Sequence, residues 1–192
     1  MKKLIVTLLL IAATGAANAQ VHFNPIVGVN TFFLSTDPPS ATSDVTAGWT
    51  IGLNLRTDGL VFFQPGLHYM SMHNGVQFDV SGGGAQYRDD ISMLRIPLLA
   101  GVGFGPLNIH GGISPSIMLS ATDHNTGADK MDVYNAFQAA FTVGGGIQIL
   151  LLTLDVDLDF GITNVYSKPE TVYGTTYDGT LSGVRVNLGL MF

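Results

Sequence analysis

Between Ala47 and Arg56 the chain changes character at every step. Ala47, Trp49, Ile51, Leu53 and Leu55 are apolar, while Gly48, Thr50, Gly52, Asn54 and Arg56 between them are small or polar. A period of two puts these sets on opposite faces of a β-strand. Seven other runs share the pattern. The first covers about Phe23 to Phe33, and the run just described is the second. A turn at Thr57-Asp58-Gly59 leads into a third from Leu60 to Ser71, with Val61, Phe63, Leu67 and Tyr69 on its apolar face. The fourth, about Asp90 to Phe104, points Leu94, Ile96, Leu98, Ala100, Val102 and Phe104 one way and Arg95, Pro97, Gly101 and Gly103 the other. After a tight Gly105-Pro106 turn the fifth, Leu107 to Ser120, sets Ile109, Ile113, Ile117 and Leu119 against Asn108, His110, Gly112, Ser114 and Ser116. The sixth covers about Asn135 to Ile149. In the seventh, Leu152, Leu154, Val156, Leu158, Phe160 and Ile162 alternate with Thr153, Asp155, Asp157, Asp159, Gly161 and Thr163, and the eighth is the terminal run Leu181 to Phe192.

Length and spacing turn these runs into a fold. Each is long enough for the ~9 to 11 residues that a tilted strand needs to cross a bilayer, and most exceed the ~5 or 6 usual in soluble sheets. The connections alternate as well. Those after the second, fourth and sixth strands are short, whereas about 34 to 46, 72 to 89, 121 to 134 and 164 to 180 form long loops rich in Asp, Ser, Thr, Asn and Gly. Short turns on one rim and long loops on the other mark outer-membrane barrels. The pattern predicts an all-β, eight-stranded antiparallel up-and-down transmembrane β-barrel, with both termini on the short-turn rim facing the periplasm. Phe23, Phe63, Phe104 and Phe192 fall at one rim and Phe33, Trp49, Tyr69 and Phe137 at the other, as two interfacial girdles require.

The inward faces carry the candidate chemistry. Many are glycines, and among them stand Arg56, Arg95, Arg185, His68, His110, Gln64, Gln138, Gln148, Asp155, Asp157 and Asp159. A charge enclosed in a narrow lumen must be paired or hydrated. The seventh and eighth strands are neighbours, so Arg185 should approach one of the three aspartates, with Arg95 reaching across the bore. A polar plug of Arg56, Arg95, Asp155, Asp157, Asp159 and Arg185 is therefore expected, in preference to a cation row of carboxylates, since all-oxygen sites usually draw more ligands from loops.

Composition narrows the class. Lys2 and Lys3, the apolar Leu4 to Ala13 and Ala17-Asn18-Ala19 read as an export signal over residues 1–19, leaving 20–192 as one barrel domain. Beyond that signal no apolar run is long enough to span a membrane as a helix, which leaves the closed barrel as the way to satisfy the backbone in lipid. The chain has eight Lys and Arg against fourteen Asp and Glu, which disfavours nucleic acid as a partner. It has no cysteine, so no disulfide, thiolate metal site or lipid-modified N-terminal cysteine can form. His68, His73 and His124 fall near or in the outer loops with Asp79, Asp89, Asp90 and Asp123, but no spacing singles them out. Gly82-Gly83-Gly84 and Gly144-Gly145-Gly146 lack the helix and lysine of a phosphate-binding loop; the first suits a loop tip, the second a strand bend. No enzyme, cofactor or metal site is expected.

The segment Leu94-Arg95-Ile96-Pro97-Leu98-Leu99 with Gly101, the run Gly144-Gly145-Gly146-Ile147, the segment Gly161-Ile162-Thr163-Asn164-Val165 and the terminal Phe192 together resemble the porin-family or PorT-like outer-membrane barrels of Bacteroidota, and more loosely the OmpA/OmpX-like eight-stranded barrels. The resemblance spans the mature chain. It implies the outer membrane of a Gram-negative cell, and recognition of Phe192 by the barrel-assembly machinery. Where such proteins commonly carry Arg-Tyr before the Gly-Leu-Thr-Asn-like segment, this chain has Asp157-Leu158, a local reversal of lumen charge. The expected product is a monomer in outer-membrane lipid, non-catalytic, with a structural or surface-interaction role through its extracellular loops and a ligand of unassigned kind. A narrow passive pore is the alternative. Tyr166, Tyr173 and Tyr177 are read as interfacial anchors of the fourth loop rather than recognition residues.

Overall fold

The computed structural model describes residues 20–37, 42–44, 46–78, 85–165, 170–172 and 175–192. The signal segment 1–19, Asp79, Gly82-Gly83-Gly84, Tyr166, Tyr173 and the side chain of Tyr177 lie outside the described residues. In chain order the strands are β1 (Val21–Asp37), β2 (Thr42–Asp44), β3 (Thr46–Thr57), β4 (Val61–Phe78), β5 (Ala85–Arg95), β6 (Leu98–Phe104), β7 (Leu107–Asp123), β8 (Phe137–Ile149), β9 (Leu152–Gly161), β10 (Glu170–Val172) and β11 (Thr175–Leu190). They make eight staves. β5 and β6 are two halves of one stave, and the short β2 and β10 extend hairpins beyond the wall. Every neighbouring pair is antiparallel, and β11 returns to β1 over twelve paired positions from Ile26↔Gly189 to Asp37↔Asp178, so the sheet closes on itself. Closure removes both edges, and with them the unpaired amides that hydrocarbon could not accommodate.

The alternation of the sequence becomes the two surfaces of the wall. Val27, Val29, Trp49, Ile51, Ile109, Ile113, Leu154, Leu158 and Leu188 are exposed on the outside, while Asn24, Asn30, Thr50, Asn54, Gln64, Ser114 and Thr142 are buried inside. A water-soluble protein would reverse that order. The rim aromatics Phe23, Phe63, Phe104 and Phe192 at one end, and Phe33, Trp49, Tyr69 and Phe137 at the other, all face outward. Trp49 and Tyr69 pack on each other across β3 and β4, ring centroids 5.4 Å apart.

Two expectations need correction. The fourth stave is not continuous, because Pro97 has no N–H to donate to the ladder. The chain is held there by Gly66 N–H to Pro97 O at 2.8 Å and Ile96 N–H to Pro115 O at 2.8 Å. Three of the four outer loops are also shorter than alternation suggested: β4 runs to Phe78 and β5 starts at Ala85, so most of 72 to 89 is strand, and β1 reaches Asp37 while β11 starts at Thr175; the third, between Asp123 and Phe137, keeps its expected length. Backbone pairing continues past the membrane, where a hairpin no longer needs an apolar face. At the opposite rim Gly105 takes a φ of 63° in the tight turn between β6 and β7, a backbone shape that suits glycine.

Candidate functional site

The lumen is filled in two layers. In the polar layer Arg185, fully buried on β11, is the central cation. Its Nε donates to Asp159 Oδ2 at 2.7 Å and its Nη2 lies 3.2 Å from Asp157 Oδ2. The register explains this: Arg185 pairs with Asp157 across the β9–β11 ladder, so the two side chains leave the same face of adjacent strands. Arg95 reaches across from β5, donating Nη2 to Asp159 Oδ1 at 2.5 Å and to Thr142 Oγ1 at 3.0 Å. Thr142 donates in turn to Asp159 Oδ1 at 2.6 Å, and its hydroxyl lies 2.7 Å from Ser114 Oγ. Asp159 thus binds two guanidinium groups and a hydroxyl. Charge-assisted bonds of this kind are the strong ones.

Asp157 is the second anchor. His110 Nε2 donates to its Oδ1 at 2.7 Å and Asn187 Nδ2 to its Oδ2 at 3.0 Å. His68 Nε2 donates to Asn54 Oδ1 at 2.7 Å, while its Nδ1 faces Arg185 Nη1 at 3.4 Å, so the Nε2–H tautomer satisfies both. Gly144 explains part of the glycine-rich run in β8: a Cβ there would meet Asp157 Oδ1 and His110 Nε2. Gly144-Gly145-Gly146 lies inside a continuous strand, and close approach of the network accounts for Gly144. Arg56 and Asp155 sit towards the short-turn rim, below this cluster. The Arg56 guanidinium lies 3.6 Å above the Phe62 ring, a cation–π contact, and Asp155 accepts a hydrogen bond from the Asn108 side chain. Of the six residues singled out for the lumen, Arg95, Asp157, Asp159 and Arg185 are thus joined directly, and Asp155 connects to them through Asn108 and His110, whose Nδ1 lies 2.9 Å from Asn108 Oδ1.

Above the polar layer, towards the long hairpins, the bore is apolar. Phe32, Met70, Met72, Ile91, Met93, Met118, Ala121, Tyr134 and Val165 form one buried cluster, with Met131, Val133 and Leu181 against it. Sequence reading missed this layer. Its signal was the parity of the strands: Met70 and Met72 share the inward parity of Gln64 and His68, and Met93 that of Arg95. A fold in β7 hid the rest. The β5–β7 register shifts between Ser92 and Met93, so one extra residue enters β7 and its facing reverses from Met118 inward to Ala121 inward.

Among the described residues the mouth carries two ionic groups on opposite faces of the wall. Inside, Lys130 Nζ bridges Asp89 Oδ1 at 2.9 Å and Asp123 Oδ2 at 3.2 Å, and Tyr134 donates to Asp89 Oδ2 at 2.6 Å. Burial opposes the Lys130 charge, but the two aspartates outweigh it and raise its ammonium above the ordinary value. The backbone N–H of Thr126, against slight desolvation and with help from Lys130, pulls Asp123 down to about 2. Outside, Asp90 lies between His73 Nδ1, in a short hydrogen bond, and His124 Nδ1 at 3.0 Å. The His124 bond, followed by that of His73 and against some desolvation, holds Asp90 below the usual carboxylate range.

The family described as Outer membrane protein beta-barrel domain matches residues 13–167. The chain belongs to that family. Members of it reside in the outer membrane, which gives the apolar outer wall its solvent. Among solved structures, this outer-membrane barrel is similar to the Neisserial surface protein A (NspA), with a TM-score of 0.53 and 10% identity over 88% of this chain and 97% of that one; at this identity the likeness is one of fold. The translocator domain of the autotransporter NalP from Neisseria meningitidis aligns with a TM-score of 0.39 and 8% identity over 100% of this chain and 95% of that one. No curated protein matches the sequence.

Proposed function

We propose that this outer-membrane barrel is a non-catalytic, non-conducting protein that works through its outer surface and extracellular hairpins. The observation that carries the reading is the filling of the bore at two successive levels, by the Arg95–Asp159–Arg185 group and by the cluster around Met70. Arg185 and Met70 each have 0% exposure, which supports a bore closed at both levels. An eight-stranded bore is only wide enough for its own side chains. On this reading the lumen residues Arg56, Arg95, Asp155, Asp157, Asp159 and Arg185 act as a structural plug. His73, Asp90 and His124 sit exposed or half-exposed on the convex outer wall, which suits neither substrate enclosure nor general acid–base chemistry.

The remaining assignments follow the same account. The protein is a monomer exported by residues 1–19 and a surface barrel of the Bacteroidota kind, a reading that the PorT-like resemblance supports. Phe192 is an assembly signal for the barrel-assembly machinery: its side chain is exposed on the lipid face and its backbone pairs with Phe23 at 2.9 and 3.1 Å. Deleting Phe192 lowers the fraction inserted in the outer membrane. The plug is tested by swelling of liposomes loaded with the protein in isotonic solutions of small sugars and amino acids. No swelling above protein-free liposomes is expected; uptake graded by solute size would assign the barrel to passive pores instead.

A further inference from the structure

Climbing the outer wall over β4, β5 and β7, the side chains change in three steps. Tyr69, Leu94 and Ile117 belong to the apolar band. Ser71, Ser92 and Ser120 form the next row, with Ser92 Oγ and Ser120 Oγ 2.6 Å apart. Above them come His73, Asp90 and His124. The change from aliphatic to hydroxyl to ionisable groups places these three just outside the lipid, on the surface that faces the medium.

Three features of the fold bring them together. His73 and Asp90 are directly paired across β4 and β5. Asp90 pairs with Thr122 of β7, and His124 follows two residues later, on the same face. It is there because of the β7 bulge. Below the bulge the even-numbered residues Asn108, His110, Ser114, Ser116 and Met118 point inward; above it Ala121 does, which turns His124 outward to Asp90. Bulges re-aim side chains in this way. The turn that carries His124 is held by Asp123 Oδ1, which accepts from Asn125 N–H and Thr126 N–H, each at 2.9 Å, and by Gly127 N–H to Asp123 O at 2.8 Å.

We propose that His73, Asp90 and His124 form a binding site for a divalent transition-metal ion of the zinc and copper kind on the extracellular face of the barrel. One ligand atom from each residue falls within 4.8 Å of the others. Arms of about 2.0 to 2.2 Å suit zinc bound to imidazole nitrogen and carboxylate oxygen, and sub-ångström to ångström rotations of half-exposed side chains close the set around one ion. Two imidazoles and one carboxylate favour zinc, copper or nickel over magnesium and calcium, which take all-oxygen sites. The metal-free arrangement is already oriented for this. Each Nδ1 points at the carboxylate through an N–H that an ion would replace, the proton being carried on Nε2 or released. Three protein ligands leave a coordination position for water or for a ligand from the medium. The site is independent of the lumen and does not rest on the plug.

Isothermal titration of untagged, detergent-folded protein with zinc chloride at pH 7.5 tests it, with magnesium chloride as the comparison ion. One zinc ion per barrel and no measurable magnesium binding are expected. Asp90→Asn and His124→Ala each weaken zinc at least tenfold, while His22→Ala, at the opposite rim, leaves it unchanged. Heat-modifiable mobility on gels verifies that each variant is folded. With copper(II) chloride, electron paramagnetic resonance shows coupling to two nitrogens in the parent and one in His124→Ala. Absence of stoichiometric zinc binding, zinc affinity unaltered in Asp90→Asn and His124→Ala, or binding lost in His22→Ala instead would overturn the proposal.

Discussion

The two halves of the bore solve the same problem in opposite ways. Both must fill a narrow tube without voids. The half nearer the short turns does so with Arg95, Arg185, Asp157, Asp159, His68 and His110, groups whose bonds have direction and whose partners must be present together. The half nearer the hairpins does so with Met70, Met72, Met93 and Met118, which need no partners and adapt to irregular space. The difference teaches where the barrel is specified and where it is merely filled. Asp159 ties β9 to β5 and β11 at once, so the polar layer fixes which staves face each other across the lumen. The methionine layer lies where the wall is interrupted by the β7 bulge, and flexible side chains absorb that irregularity.

Arg185→Leu should be the most destabilising change in either layer. The change leaves Asp157 and Asp159 with only Arg95 as a buried arginine partner, and removing one member of a buried pair typically costs about 3 to 5 kcal/mol. Chemical unfolding from lipid vesicles measures it; a cost within error of zero would mean that the polar layer is hydrated rather than paired. Met70→Ala in the other layer should cost about 2 to 5 kcal/mol through the cavity it opens. The same assay reads it, and a negligible loss would show that the apolar layer is not packed.

Position on the wall sharpens the contrast. Leu158→Arg, on the lipid face near mid-membrane, should cost on the order of 2 to 4 kcal/mol, whereas Asp157→Asn, one residue away, should act through the lumen by loosening His110 and Asn187. Equal and small effects at the two sites would undermine the assignment of faces. The smallest change is Met70→Leu, a near-isosteric swap that should cost less than about 1.5 kcal/mol. No comparable swap exists in the polar layer: Arg185→Lys lacks the planar fork that serves Asp157 and Asp159 together, and should cost more than Met70→Leu in the same measurement.

The eight staves were legible because lipid outside and polar groups inside impose a period of two, which Leu152 to Ile162 display without interruption. The neighbourhood of Arg185 was legible for a related reason: consecutive staves pair, and Asp157 shares its parity. The methionine layer was not, because Tyr69-Met70 and Ile117-Met118 put apolar residues on both faces and erase the alternation. The β7 bulge opposite Ser92 and Met93 was silent as well, since an inserted residue leaves no compositional mark. The His73–Asp90–His124 group followed from that bulge, and its members lie 17 and 34 residues apart. The lengths of the outer hairpins were misjudged because pairing in water needs no hydrophobic pattern to sustain it.

A bore closed at two levels passes no ions, and single-channel recording of the purified protein in planar bilayers measures this. Verified insertion with no discrete conductance steps is expected across the voltage range that the bilayer tolerates. Reproducible, voltage-independent steps from the parent protein would contradict it.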